Sequence, residues 1–97
     1  MQLYAILRRN GWRDGEELRV AAERSTAEGD KTPDDIRWIR SYVLAEQDGT
    51  LGTVCIYQAS SPEAIREHAQ RAALPVDEIV EIADTVVVRS DPQAVTA

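Results

Sequence analysis

The stretch from Ile36 to Leu44 constrains the fold of this chain more than any other, because its composition suits a β-strand and little else. β-Branched and aromatic residues dominate it, and neither glycine nor proline interrupts it. Asp48-Gly49 then predicts a tight hairpin turn, followed by another strand at about residues 50–58. A β-hairpin therefore occupies the middle of the chain, and the segments before and after it have to pack against it.

A strand and a helix precede the hairpin, and a helix and a strand follow it. Residues 2–9 predict the first strand, and Asn10-Gly11 is expected to end it. Asp14 predicts the start of a helix whose apolar stripe consists mostly of small side chains, namely Leu18, Ala21, Ala22 and Ser25. Ser61-Pro62 predicts the start of the second helix, and residues 78–89 predict the last strand.

The order β-α-β-β-α-β predicts an α+β, ferredoxin-like fold. In this fold two crossovers interleave to give a four-stranded antiparallel sheet with two helices on one face. We expect a single domain over residues 1–89 and a flexible C-terminal tail over residues 90–97. A chain of 97 residues buries only a modest share of its surface, so association with a second copy would add stability.

Alternation along the strands predicts two different faces of the sheet. We expect the helices to cover an aliphatic face made of Leu3, Ala5, Leu7, Ile39, Val43, Val54 and Ile56. The opposite, open face then collects the candidate ligand-binding residues, which are Tyr4, Arg8, Trp38, Arg40, Tyr42, Cys55 and Tyr57. Because such a face is too apolar to be left in water, we predict a homodimer built on it. This dimeric α/β barrel would have room for a cavity between its two sheets.

Arg40 lies between Trp38 and Tyr42 in the sequence pattern, and its role has two interpretations. A guanidinium group binds carboxylates through paired hydrogen bonds, so Arg40 is a candidate anchor for an anion in the cavity. Alternatively, it stacks on the two rings or pairs with a carboxylate across the dimer.

Catalytic and metal chemistry have few candidate residues. Cys55 is the only cysteine and His68 the only histidine, and the predicted faces place them on opposite sides of the sheet. A reactive thiol needs a neighbouring base or cation, so we expect Cys55 to be inert. We expect His68 to be a packing residue with one hydrogen-bonded nitrogen. The chain has no Gly-rich phosphate loop, Cys-x-x-Cys pair or serine nucleophile elbow, and we predict no catalytic residues.

Composition excludes several classes of partner. The net charge of −6 disfavours nucleic acid, which requires a basic surface. No run of about 18 apolar residues is available for a membrane span, and residues 1–7 lack the basic start of a signal peptide. One cysteine fits a reducing compartment. We therefore predict a cytoplasmic protein without nucleic acid or membrane as partners.

Four segments carry a resemblance to a known family, namely residues 38–43 (WIRSYV), 55–59 (CIYQA), 61–66 (SPEAIR) and 74–79 (LPVDEI). With these motifs in order, the chain resembles domain-of-unknown-function family 4242, which includes nickel-binding proteins of soil actinobacteria. The resemblance implies a ferredoxin-like subunit, a dimeric α/β barrel, and nickel or another divalent metal as the candidate cofactor. Relatives often carry a histidine at the position of Arg40. Since arginine cannot bind nickel, this chain's cavity is expected to favour an anion.

Three functions fit these patterns. The first is a non-catalytic dimeric barrel that binds a small ligand, or a metal as its relatives do. The second is a cofactor-free oxygenase or isomerase, which would need His68, Glu81 or Asp84 as a base inside the cavity. The third is a structural or regulatory interaction subunit, in which dimer packing occupies the whole aromatic face.

Overall fold

The computed structural model describes residues 1–92 and contains six elements in the predicted order. They are β1 (Gln2–Trp12), α1 (Gly15–Gly29), β2 (Ile36–Ala45), β3 (Leu51–Ala59), α2 (Pro62–Ala72) and β4 (Glu78–Glu81). The strands form one sheet in the order β2-β3-β1-β4, and every neighbouring pair is antiparallel. The predicted α+β, ferredoxin-like arrangement is confirmed.

Both helices begin where the sequence predicts a cap. The side chain of Asp14 accepts a hydrogen bond from the backbone N–H of Glu17, and Ser61 accepts one from that of Ala64. α2 ends at Ala72, and Ala73 follows in the left-handed conformation with φ 55°. Neither helix in the described part of the chain has the length and hydrophobicity that a membrane-spanning helix needs.

The last strand is shorter than predicted. β4 pairs with the first half of β1, and the N–H of Ile82 donates one further bond to the carbonyl of Leu3. Because β1 itself begins at Gln2, the chain beyond this point has almost no strand left to pair with. The predicted strand over residues 78–89 is therefore wrong beyond Glu81.

A bulge lengthens the first strand. The register between β1 and β3 slips between Arg8 and Trp12, and Asn10 within the slip has a φ of 50°. The Asn10-Gly11 pair, which was predicted to end the strand, instead lies inside it. The strand continues to Trp12, whose side chain returns to the core and is buried.

A second bulge, in β2, separates two residues that were predicted to share a face. Trp38 stands opposite Tyr57 on β3, whereas Arg40 stands opposite Ile56, the very next position along that strand. Ile39 is thus the extra residue, and successive residues of β3 point to opposite faces. Trp38 therefore lies on one side of the sheet and Arg40 on the other.

The two faces of the sheet are reversed relative to the prediction. The helices cover the side that carries Tyr4, Ile6 and Arg8 on β1 and Thr53, Cys55 and Tyr57 on β3, all of them buried. Five of the seven aliphatic residues predicted to be under the helices lie half-buried on the open face, namely Leu3, Ala5, Leu7, Val54 and Ile56. Of the other two, Val43 stands opposite Thr53 on the helix-covered side, and Ile39 is the bulge residue. The helices present small side chains such as Ala21 and Ser25, and close packing against them requires large side chains from the sheet.

Candidate ligand-binding site

A cavity of about 510 Å³ lies on the helix-covered side of the sheet, between α1 and the strands. We call it the helix-side cavity. The described residues that line it are Arg8, Trp12, Leu18, Ala21, Ala22, Ser25, Trp38, Ile39, Arg40, Ser41, Val43, Thr53, Cys55, Tyr57 and Leu74. Both tryptophans of the chain are among them. Small-molecule sites commonly have volumes of about 300–1,000 Å³ and a largely apolar lining.

Tyr57 stands at the centre of this site and is only 2% exposed. Its ring stacks on Trp38, with the centroids 6.0 Å apart and the planes 7° apart. Its hydroxyl lies 3.0 Å from Oγ of Ser25 on α1. Burial raises the pKa of the Tyr57 hydroxyl, and the bond to Ser25 works in the opposite direction. Tyr57 therefore remains a neutral phenol at pH 7.

Ser25 connects Tyr57 to His68 on α2. Oγ of Ser25 lies 3.1 Å from Nε2 of His68, and the rings of His68 and Tyr57 are 5.8 Å apart at a tilt of 57°. Burial lowers the pKa of His68, and the nearby positive charge of Arg8 lowers it further. The imidazole is therefore neutral at pH 7. This geometry matches the packing histidine with one hydrogen-bonded nitrogen that the sequence predicts, since Nδ1 has no partner within residues 1–92.

A second, smaller cavity of about 320 Å³ adjoins the first. The two cavities share Ser25, Trp38 and Tyr57 as lining residues, and the smaller one also reaches His68. The Tyr57–Ser25–His68 chain therefore forms a polar partition between two spaces on the same side of the sheet.

Arg8 is the buried charged residue among those that line the site. It projects from β1 opposite Thr53 and is 1% exposed. Its Nη1 donates a hydrogen bond of 2.8 Å to the carbonyl of Pro75, and its guanidinium carbon lies 6.0 Å from the centroid of the Tyr57 ring. The loop after α2 and the aromatic ring thus hold this side chain against the cavity wall.

The seven predicted ligand-binding residues divide between the two faces. Five of them come together on the helix-covered side, namely Tyr4, Arg8, Trp38, Cys55 and Tyr57. Arg40 stands opposite Ile56 and Tyr42 opposite Val54, which places both on the open face. Because β2 is an edge strand, Arg40 also borders the helix-side cavity. The prediction that Trp38, Arg40 and Tyr42 share one face is wrong, because the bulge at Ile39 intervenes.

Arg40 on the open face already has an anion as its partner. Its Nη1 donates to Oδ2 of Asp91 at 2.7 Å, and the hydroxyl of Tyr42 donates to the same oxygen at 2.8 Å. The pairing with a carboxylate that was one interpretation of Arg40 is present, although within one chain rather than across a dimer. Asp91 belongs to the predicted tail of residues 90–97, of which residues 93–97 lie outside the described part of the chain.

Comparison with known proteins identifies a family that matches this chain. The model of a family described as nickel-responsive proteins of the SCO4226-like type matches residues 4–82. The chain belongs to this SCO4226-like family. The crystal structure of SCO4226 from Streptomyces coelicolor A3(2) aligns with a TM-score of 0.68 over 87% of this chain and 99% of that chain. Its sequence identity of 20% makes this likeness one of fold alone. No curated protein matches, and the label of family 4242 stays a prediction.

This SCO4226-like chain does not provide a metal centre of its own within residues 1–92. No group of three or more His, Cys, Asp or Glu side chains in that part of the chain is arranged to hold a metal ion. Nε2 of His68 is bonded to Ser25, and the thiol of Cys55 donates to Oγ1 of Thr53 at 3.3 Å. Nickel in proteins favours imidazole and other nitrogen or oxygen donors held together, and residues 1–92 of a single chain provide no such group of His, Cys, Asp or Glu.

Cys55 and His68 lie on the same side of the sheet, and the prediction that they lie on opposite sides is wrong because the two faces are reversed. Within residues 1–92, Ser25 and His68 bring a hydroxyl and a candidate base into contact. Ser25 is 4% exposed and also bonded to Tyr57, and in residues 1–92 nothing orients His68 through Nδ1. An activated serine needs an accessible hydroxyl and an oriented base, so this pair lacks both requirements.

Among the residues of the site that were not predicted, Ser25 and Trp12 contribute most to its geometry. Ser25 was recognised only as part of the apolar stripe of α1, although a lone hydroxyl in such a stripe indicates a buried polar partner. Trp12 lies beyond the Asn10-Gly11 pair and was therefore outside the predicted first strand. A strand that continued through a bulge would have placed it beside Arg8 on the helix-covered side.

Proposed function

We propose that this protein is a non-catalytic binding protein that takes a small, mainly apolar molecule into the helix-side cavity. The observation that carries the proposal is the preformed cavity itself, which Trp12, Trp38 and Tyr57 line. Buried contacts hold Tyr57 and its polar neighbours in place without a ligand. Membership of a family of nickel-responsive proteins supports a role in binding rather than in catalysis.

The cofactor-free enzyme is a weaker candidate. Of its three candidate bases, Glu81 ends β4 and Asp84 follows it. Both are exposed, and neither lines the helix-side cavity. His68 borders the smaller cavity, but its imidazole is buried and its Nε2 is engaged with Ser25. A general base must reach a proton on the substrate, and none of the three is placed to do so in the helix-side cavity.

Binding of an uncharged aromatic probe tests the proposed function. We expect 2-naphthalenemethanol to give saturable, one-to-one heat in isothermal titration calorimetry. Ala22→Phe places a ring in the cavity from α1 and should weaken binding at least about tenfold, equivalent to about 1.4 kcal/mol. Ala27→Phe is the matched control, because Ala27 is on the same helix but exposed and does not line this cavity. Absence of saturable heat at millimolar probe would contradict the proposed function.

Metal binding is the second candidate, and the family description favours it. Because residues 1–92 of one chain provide no three-donor group, we expect nickel alone to give no saturable heat at micromolar concentrations. His68→Ala should leave the nickel titration unchanged. A saturable nickel site that disappears in His68→Ala would make the metal, rather than a small molecule, the principal ligand.

We further propose that a second copy of the chain covers the open face of the sheet. This face carries an aliphatic row on β1 and β3, and beside it Tyr42 and Val80 are 45% and 42% exposed. Apolar surface of this kind is stabilised by burial against a matching surface, and a two-fold axis supplies one.

The cytoplasmic location likewise stays a prediction from the sequence.

Multi-angle light scattering tests the homodimer directly. We expect a mass of twice 10.8 kDa at micromolar concentration. Val80→Glu should shift the mass towards that of the monomer, because it places a charge on the open face opposite Ala5. Val20→Glu is the control, since Val20 is similarly exposed, at 39%, but lies on α1. A monomer mass for the unmodified protein would contradict the dimer.

A further inference from the structure

Arg8 is a buried cation whose hydrogen bonding is incomplete. Its side chain is 1% exposed, and Nη1 is satisfied by the carbonyl of Pro75. Its Nη2 is also buried but has no hydrogen-bond partner among residues 1–92. Buried polar groups are nearly always paired, and an exception of this kind points to a partner outside the described residues. The missing partner is a hydrogen-bond acceptor.

No carboxylate of the described chain neutralises Arg8. It takes part in none of the ion pairs found within residues 1–92, and none of the described residues that line the helix-side cavity is Asp or Glu. This is notable in a chain that has 17 acidic residues and a net charge of −6. A guanidinium group stays positively charged at any ordinary pH, so the cavity wall carries a positive charge without a counter-ion.

The other arginine that lines the cavity is differently placed. Arg40 is 53% exposed at its side chain and is paired with Asp91 at 2.7 Å. Its charge is therefore already neutralised on the open face. Among the described residues that line the helix-side cavity, Arg8 alone supplies a positive charge without an ion-pair partner, and a single charge matches a single anionic group.

The other residues that line the helix-side cavity indicate the shape and polarity of the rest of the ligand. The rings of Trp12, Trp38 and Tyr57 and the small side chains of α1, such as Ala22, offer flat, apolar surface. Trp38 is stacked on Tyr57 and keeps 40% of its surface exposed, so its ring can be covered by another planar group. Such a surface favours an aromatic or otherwise flat apolar molecule.

From this juxtaposition we infer that the helix-side cavity binds an aromatic monocarboxylate, with its carboxylate on Nη2 of Arg8 and its ring against the tryptophans. The inference rests on the proposed function and adds the chemical class of the ligand. The acid should bind more tightly than an uncharged molecule of the same shape, because only the acid completes the hydrogen bonding of a buried cation.

Calorimetric titration with 2-naphthoate and 2-naphthalenemethanol separates the two claims. In the unmodified protein we expect the acid to bind at least about tenfold more tightly than the alcohol. Arg8→Met should remove this preference while the alcohol still binds, and Arg8→Lys should retain part of it. Arg66→Met is the matched control and should leave the preference unchanged, because Arg66 is exposed on α2 and does not line this cavity.

The other outcomes would overturn either the inference alone or the proposed function together with it. Equal affinities for acid and alcohol in the unmodified protein would overturn the inference and leave the proposed function standing. A preference that is lost in Arg40→Met and kept in Arg8→Met would also overturn it, by moving the anion site to the open face. If neither compound binds at millimolar concentration, the proposed function fails and the inference fails with it. The comparison in the unmodified protein needs no variant, so it remains decisive even if Arg8→Met does not fold.

Discussion

Tyr57→Ala is expected to lower the free energy of unfolding by about 3–5 kcal/mol, the range typical of removing a large buried aromatic side chain. Tyr57 is 2% exposed and contacts Trp38, Arg8, Ser25 and His68, so its loss affects every part of the site. Domains of this size have total stabilities of about 5–15 kcal/mol, and the variant would therefore be close to unfolding. Urea denaturation followed by far-ultraviolet circular dichroism measures the change.

Two further variants separate the ring of Tyr57 from its hydroxyl. Tyr57→Phe removes only the bond to Ser25, which retains His68 as a partner, and should cost about 1 kcal/mol. Tyr42→Ala removes a tyrosine that is 45% exposed on the open face, and we expect a loss well below that of Tyr57→Ala. Equal losses for Tyr57→Ala and Tyr42→Ala would show that Tyr57 is not at the centre of the core.

Acidification from pH 7.5 to pH 5.5 is expected to destabilise the protein through His68. Its pKa is lowered by burial and by Arg8, so the unfolded chain takes up a proton at about pH 6.5 while the folded chain does not. Stability is therefore complete above that pH and falls as the pH drops towards the lower pKa of the folded state. The slope for one proton can reach about 1.4 kcal/mol per pH unit.

His68 can be isolated in this measurement because it is the only histidine of the chain. Carboxylates with lowered pKa values, such as Glu46 beside Arg9, add their own dependence mainly at more acidic pH. His68→Gln retains a polar group that can reach Ser25 but does not titrate, so its stability should be nearly constant between pH 7.5 and 5.5. A slope that persists in His68→Gln would contradict the assignment to a buried neutral histidine.

The elements of the fold could be predicted from local signals. Asp14 and Ser61 cap the helices because each side chain accepts a backbone hydrogen bond, and Gly49 takes a positive φ of 87° in the hairpin turn. These features depend on a few neighbouring residues, so the sequence alone indicates them. With two helices and four strands in order, the ferredoxin-like arrangement follows from the rules of chain connection.

The assignment of faces could not be made from hydrophobicity alone. The prediction paired the helices with the more aliphatic side of the sheet, but α1 presents only the small residues Ala21 and Ser25 as buried side chains. The second helix adds Ala69 and Ala72 beside its larger residues. Small side chains on a helix leave a space that only long side chains from the sheet can fill. Tyr4, Tyr57 and Arg8 fill it. The small side chains of Ala21, Ala22 and Ser25 therefore indicated that large residues of the sheet would face α1. They did not indicate whether those residues would be polar.

The bulge at Ile39 is the part of the site that no alternation pattern predicts. One additional residue in β2 places Trp38 beside Tyr57 and sends Arg40 and Tyr42 to the other face. The sequence Ile36 to Leu44 has no glycine to mark that position. A shift of one residue exchanges the two faces of a strand, so an undetected bulge misplaces every side chain beyond it.

The position of a bound aromatic acid relative to the two tryptophans decides whether the helix-side cavity is the binding site. The chain has two tryptophans, and its ¹H–¹⁵N correlation spectrum therefore contains two indole N–H signals, from Trp12 and Trp38. Both residues line the helix-side cavity. On titration with 2-naphthoate we predict that both indole signals shift and saturate together. If the indole signals stay unchanged and saturable shifts are confined to the backbone amides of Ala5 and Ile56 on the open face, the acid does not bind in the helix-side cavity.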